Sequence, residues 1–284
     1  MKVETRLKFA PLALIFVAAA WGFSFVIMKG PIARQDVNSF LATRFLLAVI
    51  LMAAVRPSVL KKFNWPLVKA GTLAGFFLGT GYIFQTFGLK HSGAAVTGFI
   101  TGLYVVSTPL IAAIFLRHKI KSITWLCVGL AAIGLGILSL NGWSIGFGEG
   151  LVTISAIVFG AHFVVLSQVS KNYETYPLTM VQLATVSLLS FLISFKDGYQ
   201  TPPDNGVWGA IIFTAIFASA LGFIFQTWAQ SHMSPTKAAV ILTLETPFAA
   251  LFAVWLGGEQ LTLRTIIGGG LMLLAMYLIV IFET

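Results

Sequence analysis

Two glutamines at matching places in the chain have the residue type and spacing to bind a small polar molecule. Gln85 lies in the segment Y-I-F-Q-T-F, and Gln226 lies in F-I-F-Q-T-W, 141 positions later. Both segments are apolar, and an amide in apolar surroundings must find hydrogen-bond partners. Tyr82 and Phe223 stand three positions before the glutamines and so share their helix faces. Placed amides beside aromatic rings are typical of small-molecule sites.

Three ionisable side chains also fall inside apolar runs: Arg44, His162 and Glu245. Each needs a function or a partner, because an ionisable group is costly within a membrane. Glu245 is suited to bind a substrate amine or to carry a coupling proton. The plainer alternative is a hydrogen bond to a neighbouring helix. His162 either lines a cavity or packs between helices.

Arg44 lies about six residues into its apolar run. Long basic side chains near helix ends snorkel to the membrane interface. This position favours a structural charge, anchored at the interface or paired, over contact with a substrate carboxylate.

Aromatic and small polar residues extend the set of site candidates. Trp21 and Tyr104 can form cavity walls, and Ser24 stands at the place in the first half that corresponds roughly to His162. The chain has 25 Phe, 7 Trp and 6 Tyr, so packing is the competing interpretation for each ring. We predict one substrate site lined by Trp21, Ser24, Tyr82, Gln85, Tyr104, His162, Phe223 and Gln226.

Two prolines mark places where helices are expected to bend. Thr108-Pro109 returns as Thr246-Pro247, 138 positions later. Proline inside a helix removes a backbone hydrogen bond and bends the helix. We predict symmetric bends at Pro109 and Pro247, which serve either as hinges or as static kinks.

Glycines recur at helical spacing in two apolar runs. Gly71, Gly75 and Gly79 form one stripe, and Gly98 and Gly102 form another. Small residues at this spacing let helix backbones approach closely. We predict that both stripes are packing surfaces.

Catalytic chemistry has little support in this sequence. There is one cysteine, Cys127, so no disulfide within the chain and no thiol-based metal site is predicted. No H-E-x-x-H motif and no G-x-x-x-x-G-K-S/T loop occurs, which argues against a metalloprotease and ATP-driven pumping. We predict no catalytic residue, metal or cofactor, with an intramembrane enzyme as a remote alternative.

The composition requires a lipid environment. Hydrophobic residues make up 58% of the chain, charged residues 10%, and the mean hydropathy is +0.93. A soluble domain carries about 25% charged residues, because its surface must face water. The net charge of +9 comes from short basic clusters between apolar runs, so it indicates membrane topology rather than nucleic-acid binding.

Ten apolar runs are long enough to be membrane helices, which need about 20 residues each. The sequence therefore predicts an all-α integral membrane protein with ten transmembrane helices. The continuous runs exclude the alternating pattern of a membrane β-barrel. The predicted spans are 10–29, 38–56, 67–88, 94–116, 122–140, 148–170, 176–195, 206–230, 236–256 and 262–282.

The basic residues predict the orientation. The start of the chain resembles a signal peptide, but its apolar run continues to Met28, which favours an uncleaved first span. With the N-terminus inside, twelve of the 18 Lys and Arg fall on the cytoplasmic side and five on the other. This asymmetry predicts that both termini are cytoplasmic.

The repeated segments indicate an internal duplication. Residues 1–141 and 142–284 would each contribute five spans, and this odd number makes the two repeats inverted. Inverted repeats place a shared site near the middle of the membrane, and exchange of their conformations opens that site to the other side.

The second half carries a family pattern. Residues 245–250 read E-T-P-F-A-A, residues 255–262 read W-L-G-G-E-Q-L-T, and Ile267-Gly268 follows. This resembles the E-P-x-x-A, L-G-E-x-L-T and I-G pattern of the drug/metabolite transporter superfamily, in its ten-helix EamA-type branch. Arg44-Phe45 resembles the R-F pattern found there. The first half diverges, with Ser107 at the acidic position and R-H-K at residues 117–119.

The resemblance implies transport of small metabolites, commonly amino acids, and it suggests the aromatic amino-acid exporters among the relatives. We therefore expect a secondary transporter that exports amino acids by alternating access, as a monomer, in the lipid bilayer of a bacterial inner membrane. An uncoupled facilitator or channel, and a carrier of other metabolites or drugs, stay open as alternatives. The substrate, the direction and the coupling ion do not follow from the residues.

Overall fold

The chain is almost entirely helical. A computed structural model describes residues 3–116, 122–141, 144–232 and 235–283. Within these ranges the α-helices are α1 Val3–Arg34, α2 Val37–Val55, α3 Trp65–His91, α4 Ala94–Thr101, α5 Tyr104–Leu116, α6 Ser122–Ser139, α7 Phe147–Val169, α8 Thr175–Ser194, α9 Asn205–Phe213, α10 Gly222–His232, α11 Pro235–Leu242, α12 Glu245–Trp255 and α13 Leu263–Glu283.

Four further elements lie between these helices. A 3₁₀-helix covers Pro57–Lys62, and π-helical turns over Thr214–Leu221 join α9 to α10 without a break. Two short strands, β1 Leu140–Asn141 and β2 Ser144–Ile145, pair antiparallel between α6 and α7.

The helices follow the predicted apolar runs, and most of their ends fall within a few residues of the predicted bounds. Seven helical stretches in the described chain are long and apolar enough to cross a membrane. Two shorter apolar helices cover Ser122–Leu138 and Leu263–Leu278. The all-helical class is confirmed, and the count of ten crossings stays a prediction. The basic cluster at residues 117–121 lies outside the described residues.

Two predicted spans are broken rather than continuous. The run 94–116 is interrupted at Gly102–Leu103, between α4 and α5, and the run 236–256 at Thr243–Leu244, between α11 and α12. Pro247 explains the second break, because it has no N–H to donate to the Thr243 carbonyl and its ring collides with that group. The two breaks are 141 positions apart in the chain.

In the first half the helix interruption lies before Pro109 rather than at it, and the bend at Pro109 stays a prediction. Pro109 lies inside α5, which continues to Leu116, and the interruption comes earlier, at Gly102–Leu103. There the Leu103 and Val105 N–H groups bond to carbonyls three residues back rather than four. Glycine weakens a helix interior, so the position of Gly102 accounts for the location of the break.

Both glycine stripes pack as predicted. An added Cβ on Gly75 would lie 2.6 Å from the Thr185 Cβ atom and 2.7 Å from the Gln182 carbonyl oxygen of α8. One on Gly98 of α4 would lie 2.4 Å from the Ala249 Cβ atom of α12. The small residues therefore let helices from different halves of the chain touch through their backbones.

The contact between α1 and α12 is as close. An added Cβ on Gly22 would lie 2.7 Å from the Ala249 nitrogen, 2.8 Å from the Phe248 Cβ atom and 2.9 Å from the Glu245 carbonyl oxygen. The first turn of α12 is thus held against α1. This contact places Glu245, the first residue of α12, close to α1.

Charged side chains tie helix ends together outside the apolar core. Glu259 accepts hydrogen bonds from the backbone N–H groups of Ala94 and Ala95 (2.7 and 3.2 Å), which caps α4, and it lies 3.7 Å from the Lys29 ammonium. Elsewhere Lys62 and Glu174 lie 2.5 Å apart, and the hydrogen bond from Lys62 lowers the pKa of the exposed Glu174 carboxyl.

Gly22→Ala tests the backbone contact between α1 and α12. Gly30→Ala is the matched control, because it lies on the same helix and an added Cβ there meets no atom within 4 Å. Both changes raise helix propensity by about 1 kcal/mol, so only the collision differs. We expect Gly22→Ala to lower the free energy of unfolding by about 1–3 kcal/mol relative to the control, measured by thermal unfolding in detergent. Equal unfolding midpoints would contradict the rigid contact.

Candidate functional site

One cavity within the helix bundle brings the predicted site residues together. Its free volume is about 30 Å³, about the share of one water molecule in the liquid, so the lining side chains must move apart to admit a larger molecule. All eight predicted lining residues stand on its wall, together with Glu245 and Arg44. Six further lining residues were not predicted: Phe25, Met28, Leu78, Thr101, Phe159 and Phe163. Pro109 and Pro247 lie off this wall.

The two helix breaks bring two of these side chains to the cavity. Tyr104 is the first residue of α5 and Glu245 is the first residue of α12, each directly after a break. The two residues are 141 positions apart, the same spacing as Gln85 and Gln226. Broken membrane helices with their inner ends at a shared site are typical of transporters.

The π-helical turns over Thr214–Leu221 supply polar atoms to the same region. A π-helix holds an extra residue per turn, which changes its backbone pairing and often marks a functional site. The Trp21 indole N–H donates to the Ala218 carbonyl at 2.8 Å, and the Arg44 Nε–H donates to the Ser219 hydroxyl at 2.9 Å. The regular α-helix predicted from the sequence does not show that the Ala218 carbonyl and the Ser219 hydroxyl face Trp21 and Arg44.

Aromatic rings form most of the wall. Tyr82 packs edge-on against Phe159 and Phe223, with ring centroids 5.4 and 5.9 Å apart. Tyr104 and Phe163 are stacked at 4.9 Å. These distances lie in the range of favourable aromatic pairs, so the rings pack against one another while facing the cavity.

Arg44 does not reach the interface, contrary to the expected snorkelling. Its side chain is buried, with Nη1 3.2 Å from the Met28 sulfur and the guanidinium over the rings of Phe45 and Tyr82 at 4.9 and 5.1 Å. The reason is the face of α2 that carries it, which packs against α8 and the π-helical turns. No carboxylate of the described residues comes within 4.0 Å of it.

Several polar groups of the cavity have partners in the protein. Gln85 donates to the Thr101 hydroxyl at 3.1 Å, and Ser24 donates to the Ala20 and Trp21 carbonyls of its own helix. His162 Nε2 lies 3.0 Å from Gln182 Oε1. Because an amide oxygen only accepts, this nitrogen of His162 carries the proton.

Three other polar groups lack a partner. Gln226 Oε1 and the Tyr104 hydroxyl are buried and make no hydrogen bond within the described chain. The Glu245 carboxylate, which is 4% exposed, also receives no hydrogen bond and no ion pair from any described residue. Buried polar groups are almost always paired, so these groups leave bonding capacity for a molecule that enters the cavity.

Several lining residues are related by one of two spacings in the chain, 138 or 141 positions. Trp21 with Phe159, Ser24 with His162, and Phe25 with Phe163 are 138 positions apart, and the Tyr82 and Gln85 pairs are 141 apart. This spacing is the signal that would have identified Phe25, Phe159 and Phe163. Met28 and Leu78 carry no comparable signal, since their types are common throughout the chain.

A comparison with known proteins identifies the family. The model of the EamA-like transporter family matches residues 8–140 and again residues 146–281. The chain belongs to the EamA-like transporter family. With this family and seven apolar helices of spanning length in the described chain, it is a multi-pass membrane transporter.

Relatives of this EamA-like transporter extend over most of its length. An uncharacterized transporter of Archaeoglobus fulgidus is 31% identical over 95% of this chain and 85% of its own. The pseudopaline exporter CntI of Pseudomonas aeruginosa is 25% identical over 74% of this chain and 72% of its own. A probable biotin transporter of the same species is 23% identical over 92% and 94%. One crystal structure superposes with a TM-score of 0.72 at 15% identity, covering 96% and 97%, which shows the shared fold.

Trp21→Phe tests the link between α1 and the π-helical turns. It removes the indole N–H and leaves the Ala218 carbonyl without its donor, which costs about 1–3 kcal/mol when the group is buried. Trp208→Phe is the control, because Trp208 is exposed on α9. We expect a lower unfolding temperature in detergent for Trp21→Phe alone. Equal effects would show that the π-helical turns do not depend on this bond.

Proposed function

We propose that this protein is a secondary carrier that moves amino acids, including aromatic ones, out of the cell by alternating access. The observation that carries the proposal is the cavity itself. A membrane helix bundle surrounds it with aromatic walls, and it holds Arg44, Glu245 and the unpaired Gln226 and Tyr104 groups. A substrate with charged groups and an apolar side chain complements this wall, as small-molecule sites require.

The proposed architecture is ten transmembrane helices in two inverted repeats, residues 1–141 and 142–284, with both termini cytoplasmic. Three observations support it. Lining residues recur at spacings of 138 or 141 positions, the family model matches each half, and the helix breaks fall at equivalent places. Contacts between the halves also occur in exchanged pairs, since α1 packs on α12 while α7 packs on α5.

In this carrier the broken helices change the access to the site. The pieces on either side of Gly102–Leu103 and of Thr243–Leu244 would tilt relative to each other. Pro109 and Pro247, which limit the backbone bonding nearby, are the proposed hinge residues. The eight predicted lining residues are the proposed substrate contacts.

Glu245 is the proposed coupling residue. A buried carboxylate without a protein partner must be neutralised, either by a proton or by a cationic group of the substrate. If the substrate ammonium displaces the proton, export of substrate and entry of protons share one site. An uncoupled facilitator would use the same cavity without this exchange.

The relatives leave other substrates open as the second candidate function. One is named an exporter of pseudopaline and another a probable biotin transporter, so a carrier of other metabolites or drugs is the alternative. We further propose a monomer in a bacterial inner membrane as the working unit.

Uptake of labelled amino acids into proteoliposomes tests the carrier. We expect uptake that accelerates when unlabelled substrate is present inside, since exchange requires an alternating site. Gln226→Leu should lower uptake about tenfold or more, as expected for losing a hydrogen bond to a charged group. Gln168→Leu is the control, because Gln168 is exposed on α7. Absence of exchange acceleration would favour a channel, and absence of all amino-acid uptake would favour another substrate.

Glu245→Gln tests the coupling role separately. We expect the wild type to move substrate faster when a pH gradient is imposed, and the variant to show no response to that gradient. The carboxamide has nearly the same shape but cannot exchange a proton at pH 7. A full response to the gradient in Glu245→Gln would exclude this residue as the coupling group.

A further inference from the structure

We propose that Arg44 binds the carboxylate of the substrate, so that a carboxylate group is required for recognition, and that Glu245 receives the ammonium group. This inference rests on the proposed function and deepens it. It assigns to Arg44 a ligand role in place of the structural role that the sequence favours. The substrate class is the small zwitterion that carries a carboxylate, a cationic amine and an apolar side chain.

The partners of Arg44 leave its charge uncompensated. Ser219 accepts from Nε through a hydroxyl, Met28 offers a thioether, and Phe45 and Tyr82 offer ring faces. All of these groups are neutral. A buried cation without an anion is costly, and an anion in the cavity is the partner that this position lacks.

The same contacts hold the guanidinium ready for such a ligand. Five N–H groups lie in one plane, and a carboxylate pairs with two of them at once. Ser219 and the two rings restrain the orientation of that plane while it remains on the cavity wall. Ser219 is therefore a positioning residue, and it comes from the π-helical turns of the other half of the chain.

Glu245 gives the cavity its opposite charge. The two residues share the wall of one cavity but form no ion pair within 4.0 Å. Two separated charges of opposite sign, each without a charged partner among the described residues, match the two ends of a zwitterion. The unpaired Gln226 Oε1 adds an acceptor for ammonium N–H groups. Aromatic rings around these groups complete a pocket for an apolar side chain.

A structural role for Arg44 makes a different prediction. If Arg44 only ties α2 to the π-helical turns, its replacement should change the binding of every ligand by the same factor. An arginine that binds carboxylate discriminates between ligands that differ in that group alone. Ligand selectivity therefore separates the two roles even where a variant is less stable.

The test measures the binding of four matched probes to the purified full-length protein in detergent, by ligand-induced thermal stabilisation. Phenylalanine carries both the amine and the carboxylate, and 3-phenylpropionate carries the carboxylate alone. Phenylalaninamide and phenethylamine each carry the amine without a carboxylate. We expect the wild type to bind phenylalanine about 10–100-fold more tightly than its amide, the range for hydrogen bonds to charged groups.

Two variants then locate the carboxylate contact. Arg44→Lys keeps the charge but loses the planar fork, and we expect it to weaken phenylalanine and 3-phenylpropionate while leaving the two amines unchanged. Ser219→Ala should act in the same direction with a smaller loss. Because Ser219→Ala removes only a hydroxyl, it serves as the test if Arg44→Lys does not fold.

Each outcome separates this inference from the proposed function. If phenylalanine and its amide bind the wild type equally, or Arg44→Lys weakens all four probes alike, the Arg44 inference is overturned while amino-acid transport can stand. If 3-phenylpropionate binds through Arg44 and no amino acid binds or moves, the carboxylate contact of Arg44 stands, whereas the zwitterion assignment is overturned and the amino-acid function fails. If neither carboxylate probe binds the wild type, the inference is also overturned.

Discussion

The burial of two ionisable side chains inside a lipid-facing bundle is the constraint on which the rest of this structure depends. Arg44 and Glu245 are buried, so other helices must supply most of what surrounds them. The π-helical turns supply Ser219 to Arg44, and the break before α12 delivers Glu245 to the cavity. Departures from regular helix geometry therefore occur where the polar groups lie.

Close backbone contact determines the position of the broken helices. Gly22 and Gly98 bring α1 and α4 against the first turns of α12, from two sides. A helix without that support would be free to slide or tilt, and its first residue would have no defined place. The acidic side chain at the cavity is thus positioned by glycines that carry no chemistry of their own.

The sequence predicts the helices well because length and apolarity alone identify a membrane span. It predicts the residues of the cavity from their repetition and their polarity in apolar surroundings. It fails where a helix face matters: α2 is apolar on every side, so nothing in its pattern shows that Arg44 points inward. The π-helical turns follow from contacts between distant segments, which no local pattern contains. Glycine alone does not mark the break at Gly102, because the glycines of α3 lie in an unbroken helix. The repeat spacing could have predicted Phe159 and Phe163, because they stand 138 positions after Trp21 and Phe25.

The two breaks are 141 positions apart, but the Thr-Pro pairs that follow them are 138 apart. The first half therefore has three more residues, close to one helical turn, between its break and its proline. Two identical inverted repeats would give the empty carrier two states of equal free energy, related by a two-fold rotation axis in the membrane plane. The extra turn removes that equality. In the proposed carrier, this extra turn makes the empty site prefer to face one side of the membrane. That preference sets the concentration of substrate needed on each side. It does not decide on which side the substrate accumulates.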